Sequence, residues 1–186
     1  MNFRVIWTTC FFVFLAAIGP ATGAEKLGSG AFQHDYASAN GWIVHRITAD
    51  EAGRKLLYCD ASWTGVADMY AYVRRDPANK TFAFGLPAPN PVRQKNAPMR
   101  AWFDSDKANA MEGPATFLSW SGKADDEDGY LVLVQTGDQA PAAERFPKAK
   151  KITFAYPFDG KTRVESFILK NAATTLAKLT DCAAIP

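Results

Sequence analysis

The chain has 186 residues, 48% of them hydrophobic, and a formal net charge of +2. That is enough for one domain with a substantial core. The near balance of 21 basic and 19 acidic side chains argues against broad electrostatic capture of nucleic acid, and two histidines with three cysteines are a poor supply for a transition-metal centre.

The N-terminus places Arg4 ahead of an apolar run from Cys10 to Ile18, with Val5, Ile6 and Trp7 just before it. Gly19-Pro20 breaks the run, and the small residues of ATGA follow. This pattern predicts a signal peptide over residues 1–24, cut after Ala24. The run is shorter than the roughly 18 apolar residues that a span requires, so no stable membrane insertion is expected after cleavage. Cleavage removes Arg4 and Cys10, lowers the formal charge from +2 to +1, and leaves Cys59 and Cys182.

Residues 25–41 (EKLGSGAFQHDYASANG) are rich in Gly, Ser and Ala without a period, and read as a flexible leader. The β-sandwich domain is expected over 42–186. WIVHRIT (42–48) and KLLYCDA (55–61) read as strands around a polar turn. VADMYAYVRR (66–75) alternates, with Met69, Ala71 and Val73 on one face and Tyr70, Tyr72 and Arg74 on the other. DPANK is a turn, and KTFAFGL (80–86) resumes the alternation. The four prolines of PAPNPVRQKNAP (87–98) predict a long exposed loop that forbids a regular ladder. Strands are expected again at 99–106, 115–122 and 130–137. One or two helical turns are expected from Pro141, then a hairpin over 151–169 turning at Asp159-Gly160.

In NAATTLAKLTDC, Ala172, Leu176, Leu179 and Cys182 recur at helical spacing. The pattern predicts a short C-terminal helix that docks this stripe on the sheet. In an oxidising compartment the two remaining cysteines pair, so a Cys59–Cys182 disulfide is expected to staple the helix. About eight short strands with turns between them suggest a single-domain, mainly β fold: an antiparallel β-sandwich or open β-barrel with a short C-terminal α-helix.

Motifs for chemistry are scarce. There is no G-x-S-x-G, no G-x-G-x-x-G and no Walker loop. His34 falls in the leader, and His45 in mid-strand reads as a half-exposed surface residue rather than a catalyst. The acidic run Asp125, Asp126, Glu127, Asp128 is the one place for a hard cation such as calcium, but it lacks the spacing of an EF-hand and reads as a solvated turn. No cofactor is expected. Aromatics are the remaining resource, and Trp42, Trp63, Trp102, Trp120, Tyr70 and Tyr72 fall on or near strands. Most such residues pack cores. The sharper expectation is a binding surface of Tyr70, Tyr72 and Arg74, with Arg75 beside them, near Arg93 and Lys95 of the Pro-rich loop.

The order of features resembles the invasion-associated locus B family of small periplasmic proteins of alphaproteobacteria. The features are Gly41-Trp42-Ile43-Val44 near the domain start, a strand carrying Cys59, then hairpins. A K-I-T-F segment at 151–154 and an Ala/Leu-rich helix from Ala172 to Cys182 follow. The resemblance covers roughly 41–182. It implies a periplasmic β-sandwich without catalysis, linked in some relatives to host-cell invasion or envelope function, and it supplies no catalytic residues. The resulting expectation is a non-catalytic periplasmic or secreted binding protein, with an envelope or host protein, or a glycan, as partner. The alternative is a small secreted inhibitor of a protease or lysozyme, presenting loop 87–98.

Overall fold

The structure, a computed structural model, describes residues 24–39, 41–63, 71–89, 97–119, 128–136 and 140–185. Its strands are β1 (Glu25–Lys26), β2 (Phe32–Ala39), β3 (Trp42–Thr48), β4 (Leu56–Trp63), β5 (Tyr72–Asp76), β6 (Thr81–Pro89), β7 (Pro98–Phe103), β8 (Met111–Ser119), β9 (Asp128–Gln135), β10 (Lys151–Phe158) and β11 (Lys161–Ile168). The helices are α1 (Ala140–Arg145) and α2 (Ala172–Ala184), with single 3₁₀ turns at Lys107–Asn109 and Phe146–Lys148.

The eleven strands form one antiparallel sheet in the order β1-β2-β3-β4-β5-β6-β9-β8-β7-β10-β11, which ends at two edges and is not a closed barrel. β8 turns the corner. Its first half, from Met111, pairs with β7, and its second half, from Ala115, pairs with β9. A strand shared in this way lets one sheet fold over on itself. The mainly β, antiparallel fold with a short C-terminal helix is therefore as the alternation implies.

One face of the fold is the core. Val44, Cys59, Ala61, Val73, Phe82, Phe84 and Leu133 all point into it from alternate positions of their strands. Phe146, in the 3₁₀ turn after α1, is fully buried and makes ring contacts with Trp42, Phe82, Phe84 and Phe103. Aromatic pairs at these separations add roughly 0.5–1.5 kcal/mol each beyond area burial. The Trp42 indole N–H donates to the Lys170 carbonyl at 2.7 Å, which holds the start of α2 against β3.

Helix α2 docks through Ala172, Leu179 and Cys182 of the expected stripe, which are buried together with Thr175, while Leu176 is partly buried against the core. Cys182 is bonded to Cys59 across 123 residues of sequence. Arg46 completes the attachment. It is 6% exposed, and its guanidinium donates to the carbonyls of Cys182 at 2.9 Å and Ile185 at 3.1 Å, satisfying carbonyls that the last turn of the helix leaves open. On the helix flank, Arg75 donates to the Thr180 hydroxyl.

Three expectations need correction. The leader is not loose: residues 25–26 and 32–39 are strands, and β2 pairs with β3 from Phe32↔Thr48 to Ala39↔Trp42. A bulge between Asp35 and Ala37 places both Tyr36 and Ala37 against the core, so the sequence shows no clean alternation there. The first part of 87–98 is not a loop either. β6 continues to Pro89, with Pro87 opposite Tyr130 of β9. A proline removes one donor, and alternate N–H groups leave opposite edges of a strand, so a proline fits where that group would point away from its partner. Among the described residues the strand count is eleven rather than about eight. Residues 1–23 of the expected signal peptide (1–24) lie outside the described residues, as do Trp120 and the acidic residues Asp125, Asp126 and Glu127.

Candidate functional site: a tyrosine-walled pocket on the outer face

The same strands carry a second set of side chains on the face away from the core. Register places Asp35, His45, Asp60 and Arg74 directly opposite one another on four adjacent strands, β2 to β5. The result is a row of alternating charge, the sheet analogue of an ion-pair ladder. The next row toward Trp42 runs Ser62, Tyr72, Gly85 and Val132 across β4, β5, β6 and β9.

His45, Asp60, Ser62 and Tyr72 of these rows line a pocket of about 640 Å³. Its walls come from distant parts of the strand order: Leu27 and Ser29 beside β1, His45 and Ile47 of β3, Tyr58, Asp60 and Ser62 of β4, Tyr72 of β5, and Phe117, Ser119 and Tyr130 from β8 and β9. The curvature of the sheet brings the β1–β2 turn and the end of β8 to one cavity. A volume of this size is that of a small-ligand site.

Asp60 is the centre of the polar network. It is 9% exposed. His45 Nδ1–H donates to its Oδ1 at 3.0 Å, and the Tyr72 hydroxyl donates to its Oδ2 at 3.3 Å. The other ring nitrogen of His45 lies 3.6 Å from the exposed carboxylate of Asp35. Burial by itself would lower the pKa of His45. The hydrogen bond and charge of Asp60, with the charges of Asp35 and Glu25, outweigh it and hold the imidazole above its ordinary 6.5. Burial, reinforced by the negative charge of Asp60, pushes the Tyr58 hydroxyl up to about 12 and the Tyr72 hydroxyl well above its usual range. Both phenols are neutral donors across the physiological range.

Aromatic rings form the remaining surface. Tyr72 and Tyr130 stack with centroids 4.7 Å apart and planes 28° from parallel. Gly85 leaves room beside Tyr72, its neighbour in the row. A Cβ there would meet the Leu131 carbonyl oxygen and Cγ2 of Val132 at 3.0 Å and Cδ1 of Tyr72 at 3.3 Å. Behind the pocket the Arg74 guanidinium lies 3.8 Å from the ring centroid of Tyr58, a cation–π contact. It also pairs with Asp76 at 3.5 Å. Arg74 Nε is the only buried side-chain nitrogen or oxygen without a hydrogen-bond partner among the described residues.

Of the expected binding surface, Tyr72 and Arg74 do share one face, but Tyr72 is 5% exposed and walls a pocket instead of projecting outward. Arg75 points the other way, toward α2. Tyr70, Arg93 and Lys95 lie outside the described residues. His45 is not a lone surface histidine: its side chain is 14% exposed and held between two carboxylates. The residues that sequence reading missed are His45, Asp60, Tyr58 and Tyr130. The available signal was a polar residue in mid-strand at matching distances from the β3–β4 turn.

Among the described residues no helix is long and apolar enough to cross a membrane, and no group of three His, Cys, Asp or Glu side chains is placed to hold a metal ion. No family model, curated protein or solved structure matches the chain.

Proposed function

We propose that the protein is a non-catalytic binding protein of an oxidising compartment, periplasmic or secreted, and that the outer-face pocket is its ligand site. The observation that carries this reading is the convergence of a buried carboxylate, a histidine and three tyrosines from β3, β4, β5 and β9 on one cavity. Polar groups buried on a sheet face cost stability unless satisfied, and here His45 and Tyr72 satisfy the buried Asp60 at the edge of a cavity. The Cys59–Cys182 disulfide supports the compartment, because such bonds persist where the surroundings oxidise thiols. The resemblance to the invasion-associated locus B family supports an envelope or host-interaction role for the binding. The absence of catalysis is part of the proposal: His45 has both ring nitrogens directed at carboxylates rather than at a nucleophile. The inhibitor alternative leans on residues 87–98, of which 90–96 lie outside the described residues.

The test is a thermal-unfolding screen of the oxidised protein against amines, sugars, amino acids and carboxylates, repeated with Ser62→Trp to fill the cavity. A ligand at about 100 times its Kd adds about 2.7 kcal/mol, a shift of several degrees. The expected result is one class of compound that raises Tm in the parent and not in Ser62→Trp. Stabilisation that survives the blocking substitution, or none from any class, would refute the site.

A further inference from the structure

We propose that the pocket takes an organic ammonium group, its charge on Asp60 and its carbon substituents against the Tyr72–Tyr130 stack. The inference rests on the pocket being a ligand site and adds the chemical class.

Charge decides first. The groups facing the row are the carboxylates of Glu25, Asp35, Asp60 and Asp76, against the guanidinium of Arg74 and the imidazole of His45. The site is therefore net negative whether or not His45 is protonated, and it repels a carboxylate or phosphate ligand. Arg74 stands opposite Asp60 in register, yet it turns to Asp76 and the Tyr58 ring and leaves Asp60 without a guanidinium partner. An ionised carboxylate has about four lone-pair sites, and the hydrogen bonds from His45 and Tyr72 occupy two of them.

The aromatic walls make the same selection. Tyrosine faces attract cations through the ring quadrupole, more strongly when water is excluded. A tyrosine of this pocket already holds a cation in this way, Arg74 on Tyr58. The cavity, at about 640 Å³, also has room for the carbon chain of an amine. A neutral sugar would find serine hydroxyls, tyrosine faces and a carboxylate acceptor for its hydroxyls, but it would gain no Coulombic attraction from the surplus of negative charge.

His45 then tunes the site. Protonated, it neutralises Asp60 from one side while Asp35 and Glu25 hold it there. Affinity for an ammonium group rises as the pH is taken up through the titration of His45.

Isothermal titration of the oxidised protein with choline, cadaverine and N-acetyl-lysine amide tests this, with glucose and acetate as controls. The first two stand for free ammonium compounds, one quaternary and one primary, and the third for a lysine side chain of a protein partner. Binding of at least one ammonium probe is expected. It should weaken at least tenfold in Asp60→Asn, about threefold in Asp35→Asn (an exposed side chain that the core does not need), and several-fold between about 50 and 500 mM salt. Binding of glucose or acetate without the amines would overturn the ammonium assignment and leave the pocket reading intact. Amine binding indifferent to Asp60→Asn, in a variant with parental circular dichroism, would overturn it too. No heat from any probe, with no stabilisation in the wider screen, would remove both.

Discussion

Strands β3 to β5 contribute alternate residues to two different surfaces. On the inner face Val44, Cys59, Ala61 and Val73 meet the Phe146 cluster and α2. On the outer face the intervening residues are His45, Tyr58, Asp60, Ser62, Tyr72 and Arg74. The inner set is apolar and cross-linked; the outer set is polar, aromatic and linked by hydrogen bonds. The contrast teaches that stability and recognition are divided by side-chain parity on shared strands. Damage to one face should therefore leave the other readable.

The largest expected break is Phe146→Ala. A buried aromatic that touches four other rings should cost about 3–5 kcal/mol in denaturant unfolding, while the ligand still binds whatever fraction remains folded. Next is the paired replacement Cys59→Ser with Cys182→Ser. Losing a bond that closes so long a loop should cost about 2–5 kcal/mol, with hydrogen exchange rising first along α2. Arg46→Met comes third. It keeps the buried stem but removes the donors to Cys182 and Ile185, and a loss of about 1–3 kcal/mol is expected, read as a lower unfolding midpoint and a frayed last turn of α2.

The smallest effect sharpens the comparison from the outer side. His45 has a folded pKa raised above 6.5. Its contribution to stability is fully present below 6.5 and is lost as the pH rises through the folded value. Unfolding measured from about pH 6 to 9 should show this decline, and His45→Gln should flatten it. A parental slope that survives in His45→Gln would place the titration elsewhere.

How far the sequence leads depends on what sets each feature. The α2 stripe, the Asp159-Gly160 hairpin and the pairing of the two cysteines are local or forced by scarcity, and all three appear in the structure. β2 was hidden because its bulge changes the face on which residues fall. The end of β6 was hidden because a proline reads as a breaker whatever edge its nitrogen faces. The outer site was hidden for a deeper reason. Asp35, His45, Asp60 and Arg74 are dispersed along the chain and meet only through strand register, which hydrophobic pattern constrains but does not print. Tyr72 shows the same limit. Its parity was legible, but its burial depends on Gly85 and Tyr130, on β6 and β9.

The most direct measurement is a ¹H–¹⁵N chemical-shift map of the oxidised protein titrated with the tightest ligand from the screen. Recognition on the outer face predicts shifts at His45, Asp60, Tyr72 and Tyr130, with α2 and the residues around Phe146 unmoved. Shifts centred on α2, on the β11 edge or on the inner face would contradict the division of labour between the two faces.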